Sequence, residues 1–309
     1  MTDLFIGTRG SPLALWQANW VKAQLENRHS GLMVSLKIIH TEGDKILDTP
    51  LAKVGGKGLF VKEIETDLID GEIELAVHSM KDVPTALPPE LEISVICQRE
   101  DPRDAFIARE AGVTLATLPD KARVGTSSLR RQAQLLNRRP DLEIVPLRGN
   151  VGTRLRKLEE LELDAVILAA AGLIRMEQAG LITEYLSPAD SLPAVGQGAL
   201  GIETRKDDGQ TRALVEFLNH PPTQHAVEAE RSFLARLEGG CQVPIAAHAT
   251  IEGGKLTLDG LVASVDGSVI FRDAISGPVE DRQALGARLA ELLLSRGADK
   301  ALAEVYGQK

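Results

Sequence analysis

The stretch Leu4-Phe5-Ile6-Gly7-Thr8-Arg9-Gly10-Ser11-Pro12 reads as a short apolar strand, a small-residue turn and the start of a helix. Ser11 offers a side-chain oxygen of the kind that caps a helix N-terminus, and a proline next to it is pre-set for the first helical position. A helix is therefore predicted from Pro12 toward Arg28. The pattern recurs at Val124-Gly125-Thr126-Ser127-Ser128, again strand, Gly-Thr and then helix. Two α/β units that begin alike predict two similar domains facing one another across a cleft.

Working outward, Val34–Ile39, Leu75–Val77 and Ile93–Cys97 read as strands of the first unit. Gly55-Gly56-Lys57-Gly58 leads into an amphipathic helix with Leu59, Ile64, Leu68 and Ile69 on one side and Gly71 as its terminator. A second unit begins near Asp104, with strands at Arg123–Thr126, Leu142–Leu147 and Ala165–Ala169 and helices after Ser128 and after Arg148-Gly149-Asn150. The small residues of Ala194–Ile202 suit close backbone packing and can return the chain to the first domain. Beyond them a helix over Thr223–Leu237 is broken by Gly239-Gly240-Cys241. Strands at Ile245–Ile251, Leu256–Ala263 and Val269–Ala274 and a helix over Asp281–Arg296 complete a smaller α+β domain. The expected domains are 1–98 with 199–217, then 103–193, then 220–309.

The chain has 309 residues, 43% hydrophobic and 26% charged, as a globular protein does. Its net charge of −9 argues against general nucleic-acid binding. No apolar run is long enough to span a bilayer, and residues 1–7 lack the basic head and apolar core of a signal peptide. Two cysteines make no disulfide framework, so a reducing compartment, the cytoplasm, is expected.

Strand-to-helix turns expose backbone N–H groups where the helix dipole favours anions. Three such turns, at Ser11, Ser128 and Gly149-Asn150, have arginine close by: Arg9, then Arg130 and Arg131, then Arg148 and Arg154. Arginine pairs with a carboxylate through two parallel hydrogen bonds, and phosphate is an equally good ligand on these grounds. Gly55-Gly56-Lys57-Gly58 lacks the spacing of a nucleotide-binding loop. Asp82 follows a strand end in His78-Ser79-Met80-Lys81-Asp82, where a carboxylate can reach a ligand. His78 and Ser79 do not make a hydrolase pair, because strand neighbours face opposite ways. Cys97 lies in an apolar strand and reads as core filling. Cys241 follows two glycines and is placed to react. No Cys-His spacing fits zinc, so no metal is expected.

These pieces, in order, resemble the porphobilinogen deaminase family over nearly the whole chain. The segments are Gly7-Thr8-Arg9-Gly10-Ser11-Pro12-Leu13-Ala14, Gly43-Asp44-Lys45-Ile46-Leu47, Gly55-Gly56-Lys57-Gly58-Leu59-Phe60 and His78-Ser79-Met80-Lys81-Asp82. They continue with Gly125-Thr126-Ser127-Ser128-Leu129-Arg130-Arg131, Leu147-Arg148-Gly149-Asn150-Val151-Gly152-Thr153-Arg154 and Leu237-Glu238-Gly239-Gly240-Cys241-Gln242-Val243-Pro244. The resemblance implies an α/β fold with two periplasmic-binding-protein-like domains around a cleft and a smaller α+β C-terminal domain carrying the cofactor cysteine. It implies a thioether from Cys241 to a dipyrromethane cofactor. Four porphobilinogen molecules would be condensed head to tail with loss of ammonia, and hydroxymethylbilane released for tetrapyrrole synthesis. Asp82 matches the family's catalytic aspartate, which would stabilise positive charge beside the pyrrole N–H groups. Arg9, Ser11, Lys81, Thr126, Ser128, Arg130, Arg131, Arg148, Arg154 and Arg175 match positions that bind the acetate and propionate groups of cofactor and substrate. Lys53, Lys57 and Gln197 match further binding positions, and Asp44 and Phe60 bound a loop the family implies to be mobile. Glu42 departs from relatives that often carry a neutral or basic residue there. No function attaches to Ala133.

Two other readings are weaker. A cleft protein that only binds a small dicarboxylate leaves Cys241 and the third domain without purpose. A cysteine-dependent hydrolase or transferase using His248 or His78 lacks any supporting Cys-His spacing. The expected partner is the small-molecule substrate alone, with no nucleic acid, no membrane and a monomeric chain.

Overall fold

A computed structural model describes residues 3–45, 58–238 and 243–307. The first sheet has the order β2-β1-β3-β10-β4. Strand β1 (Asp3–Thr8) lies parallel between β2 (Met33–Ile38) and β3 (Leu75–Ser79), while β10 (Leu200–Arg205) runs antiparallel between β3 and β4 (Leu91–Ile96). The second sheet has the order β7-β6-β8-β5-β9. There β6 (Arg123–Gly125) lies parallel between β7 (Glu143–Val145) and β8 (Ala165–Ala169), while β5 (Asp104–Ala108) runs antiparallel between β8 and β9 (Glu184–Leu186). Strand order and directions match from sheet to sheet, so the short echo in the sequence stands for a whole repeated architecture.

The repeat reaches single atoms. The Phe5 N–H within β1 donates to the Glu74 carboxylate at 2.6 Å, and the Arg123 N–H opening β6 donates to Asp164 at 2.7 Å. Gly7 and Gly125 hold equivalent places, where an added Cβ would strike Ile73 in one case and Leu163 in the other. Neither has a positive φ. Close packing, and not backbone freedom, is what requires glycine in both Gly-Thr turns.

Helix α1 (Pro12–Arg28) starts as predicted, with Ser11 accepting the Ala14 N–H at 3.3 Å and Pro12 in the first turn. Its buried Ala18, Val21 and Leu25 pack with Leu4, Ile6, Leu75, Val77, Leu200 and Ile202 on one sheet face, and Cys97 lies in the same core. A short helix α2 (Glu42–Lys45) follows β2. The predicted amphipathic helix begins later than Leu59. Gly58, at φ +82°, makes a turn whose carbonyl accepts from Val61 and Lys62, and α3 spans Lys62–Ile69. Ile64 and Leu68 cover the opposite sheet face with Ile73, Ala76 and Leu91. Gly71 ends the helix with φ +73°.

In the second sheet's layer α4 (Leu129–Arg138) is capped by Ser128, α5 (Val151–Glu160) by Asn150, and α6 (Ala170–Arg175) follows β8 directly. After β10 come α7 (Gly209–Val215) and α8 (Pro221–Arg236). The C-terminal sheet is antiparallel, β11 (Ile245–Glu252), β12 (Lys255–Ala263) and β13 (Ile270–Pro278), and packs on α8 and α9 (Arg282–Leu293) around Phe233, Leu258, Val262 and Leu289. The chain ends in α10 (Asp299–Gly307). No helix among the described residues is long and apolar enough to cross a membrane.

Two compact units emerge. One is drawn from Met1–Asp48, Gly56–Glu100 and Ala199–Gln224, the other from Asp101–Gly198 and His225–Lys309. In the second unit the β12–β13 hairpin tip docks on α4: Gln132 Nε2 donates to the Val265 carbonyl at 3.2 Å and Asn137 Nδ2 to that of Gly267 at 2.9 Å.

Candidate functional site

Each unit carries its own share of the expected residues. In the first, Thr8 ends β1 fully buried and its hydroxyl donates to the Ala14 carbonyl, tying the turn to the helix it precedes. Arg9 projects half-buried from this turn with its guanidinium 4.2 Å from the Phe60 ring centroid, a cation–π contact. Ser11 is spent on capping α1. At the end of β3 the chain enters a single 3₁₀ turn, Met80–Asp82. Met80 is buried beneath it, while Lys81 and Asp82 stand about one-third exposed, the ammonium 2.8 and 3.0 Å from the two carboxylate oxygens. Asp44 falls in α2. Lys53, Lys57 and Cys241 lie outside the described residues.

The second unit holds most of the arginines, and they divide into two sorts. Arg130 and Arg131 are buried around Asp104, itself without exposure. Arg130 makes bonds of 2.8 and 3.1 Å to the two Asp104 oxygens, and Arg131 adds 3.0 and 2.7 Å to one of them. Ser191 and the side-chain amide of Gln197 donate to the same carboxylate at 2.7 and 3.0 Å. Burial alone would raise the Asp104 carboxyl, but the two guanidinium charges and their hydrogen bonds outweigh it and hold it well below the usual range. The carboxylate that this arginine pair binds thus belongs to its own chain. Asp104 was not anticipated, although a carboxylate opening the apolar run Ala105-Phe106-Ile107-Ala108 is a signal that a buried cation is near.

Arg148 and Arg154 are the other sort. Both are half-buried at the start of α5, where Asn150 accepts the Thr153 N–H and Gly149, at φ +117°, turns the chain. Arg154 Nε donates to the Gly149 carbonyl at 2.8 Å, which lays the guanidinium beside the helix N-terminus. Arg175 is buried at the end of α6 and donates to the Gly198 carbonyl at 2.7 Å. Thr126 is buried, its hydroxyl accepting from the Ser128 N–H, and Ser128 accepts in turn from that of Arg131. Gln197 also donates to the Pro102 carbonyl at 2.6 Å. Thr126, Ser128, Arg130, Arg131 and Gln197 therefore form one connected group.

Each unit contains an α/β sheet whose strand-to-helix turns carry cationic side chains and capped helix N-termini, the chemistry of a protein class that binds small anions. A family model described as porphobilinogen deaminase, dipyrromethane cofactor binding domain, matches residues 4–213, and the model of that family's C-terminal domain matches 224–295. The chain belongs to the porphobilinogen deaminase family. It is 62% identical to the porphobilinogen deaminase of Geobacter sulfurreducens over 306 residues, covering 99% of this chain and 96% of that protein. It is likewise 62% identical to that of Geobacter metallireducens, covering 98% and 95%, and 61% identical to that of Syntrophotalea carbinolica, covering 97% and 95%.

Proposed function

We propose that the chain condenses four porphobilinogen molecules head to tail on a dipyrromethane held through Cys241 and then releases hydroxymethylbilane. The observation that carries this reading is the chemistry of the donor set. Acetate and propionate groups demand N–H donors and positive charge, and Arg148, Arg154 and the capped start of α5 supply them together. A dipyrromethane presents the same carboxylates, so these residues fit it, with Arg9, Lys81 and Arg175 as further cations. When bound, that group supplies the nucleophilic pyrrole carbon on which the chain grows.

The residues of this chain do the rest. Asp82 accepts hydrogen bonds from the substrate's pyrrole N–H and opposes the positive charge that grows as ammonia departs. Lys81, 2.8 and 3.0 Å from the two Asp82 oxygens, holds that carboxylate in place. Arg130 and Arg131 act by holding the Asp104 and Gln197 group in shape. We place the enzyme in the cytoplasm as a monomer, its thiols reduced. Intact mass of the denatured protein tests the reading: a covalent two-pyrrole increase that maps to Cys241 and disappears in Cys241→Ala is expected. An active enzyme with an unmodified Cys241 would overturn it.

A further inference from the structure

A buried polar couple lies just behind the Lys81–Asp82 turn. Along β3 the side chains alternate, with Leu75 and Val77 facing α1, and Ala76 and His78 facing α3. On that second face His78 Nε2 lies 2.8 Å from Glu203 Oε2 of β10, with 5% and 1% of the two side chains exposed. The other Glu203 oxygen is buried with no hydrogen-bond partner among the described residues. Glu65 of α3 faces the same couple, its carboxyl raised first by burial and then by the Glu203 charge, with His78 and then Lys62 of α3 opposing. Arg205, next on this face of β10, is turned to the Leu68 and Ile73 carbonyls and to Asp208.

A half-satisfied buried carboxylate is costly, and an apolar pair of similar volume would fill this space at least as stably. What the couple adds is direction. It fixes β3 to β10 two residues before the turn, where Gly201 pairs with His78. The next contacts are backbone ones. Met80 N–H donates to the Ala199 carbonyl at 3.0 Å, and the Met80 sulfur packs where Gly201 lacks a Cβ. Lys81 and Asp82 then leave from a seat to which this side-chain couple, the Leu200–Ser79 ladder pair and the Met80–Ala199 hydrogen bond all contribute.

We infer that His78 is a positioning residue for Asp82, acting with Glu203 to set the angle at which the Met80–Asp82 turn leaves β3. This rests on the catalytic role proposed for Asp82, but its structural half can be read without turnover. His78→Phe keeps the ring shape and removes the bond to Glu203, whereas His78→Gln retains an N–H near the same place. Hydrogen exchange should speed up by about tenfold or more over residues 79–84 in His78→Phe, with the rest of the first sheet unchanged, and return toward normal in His78→Gln. In porphobilinogen turnover, His78→Phe should lower kcat roughly tenfold with KM within about twofold, and His78→Gln should recover most of it. Should His78→Phe fold poorly, the double variant His78→Phe/Glu203→Leu replaces the couple by apolar groups and should fold well yet stay slow. Uniformly faster exchange across the sheet, or wild-type kcat in the double variant, would overturn the inference. A wild-type enzyme that fails to turn over porphobilinogen would count against the functional reading alone.

Discussion

Single residues at this site differ in what they are free to do. Asp82 is one-third exposed and held by Lys81, so Asp82→Asn should fold normally. If charge is its contribution, the variant should raise the barrier by about 2–4 kcal/mol and lower kcat with KM nearly unchanged. Steady-state kinetics decide it, and near wild-type kcat removes Asp82 from the chemistry. Asp104 is the opposite case. Its folded carboxyl lies below its unfolded value of about 3.9, so its ionised form stabilises the fold at neutral pH, and that contribution is lost as pH falls below about 4. Asp104→Asn should cost about 3–5 kcal/mol at pH 7, because two buried guanidiniums lose their counter-charge. It should also flatten the acid limb of a stability–pH curve; an unchanged limb would show that another group controls it. The sequence exposed the arginines by their place near helix starts, but not their division. Arg131 and Arg148 sit in similar loop-to-helix contexts, and only the fold reveals that one faces an aspartate from a distant strand.

Elements were legible where their signals are local. Ser11 and Pro12 placed the start of α1, and Ala165–Ala169 was bounded correctly because a short apolar run buried on both faces is distinctive. The sequence pattern marks none of β5, β9 and β10 as strands, and for β10 it shows only small residues suited to close packing. Glu184–Leu186 is three residues long, and Asp104–Ala108 opens on a charge, so neither shows a period. Ala133 gave no signal at all, yet it is fully buried, and its carbonyl lies against Gly267 of the hairpin that docks on α4. At Gly267 (φ +72°) an added Cβ would collide with that carbonyl, whereas at Gly254 (φ +77°) it would meet nothing within 4 Å. Gly254→Ala should therefore cost only backbone strain, about 1 kcal/mol, and Gly267→Ala about 2–4 kcal/mol. Urea unfolding compares them, and equal losses would mean that the hairpin does not press on α4 as described.

At the scale of the whole molecule, β10 is the strand that the rest of the first sheet waits for. It pairs with both β3 and β4, so a chain ending at residue 198 should leave the β3 amides that face β10 unprotected, and one ending at 220 should restore their protection. Hydrogen exchange on the two fragments reads this directly, and equal protection would show that β3 is stable without its neighbour. The last strand of the second sheet, β9, ends earlier, at Leu186. During synthesis the order of completion is consequently the reverse of the order of translation. Strands made first stand with open edges while roughly a hundred further residues leave the ribosome, a wait of about 5–20 s at ordinary elongation rates. For that interval the nascent chain displays unpaired strand edges of the kind that aggregate or recruit chaperones. Codon-level slowing between residues 100 and 200 would lengthen the exposure, so the yield of this enzyme in a cell should depend on how fast that middle stretch is read.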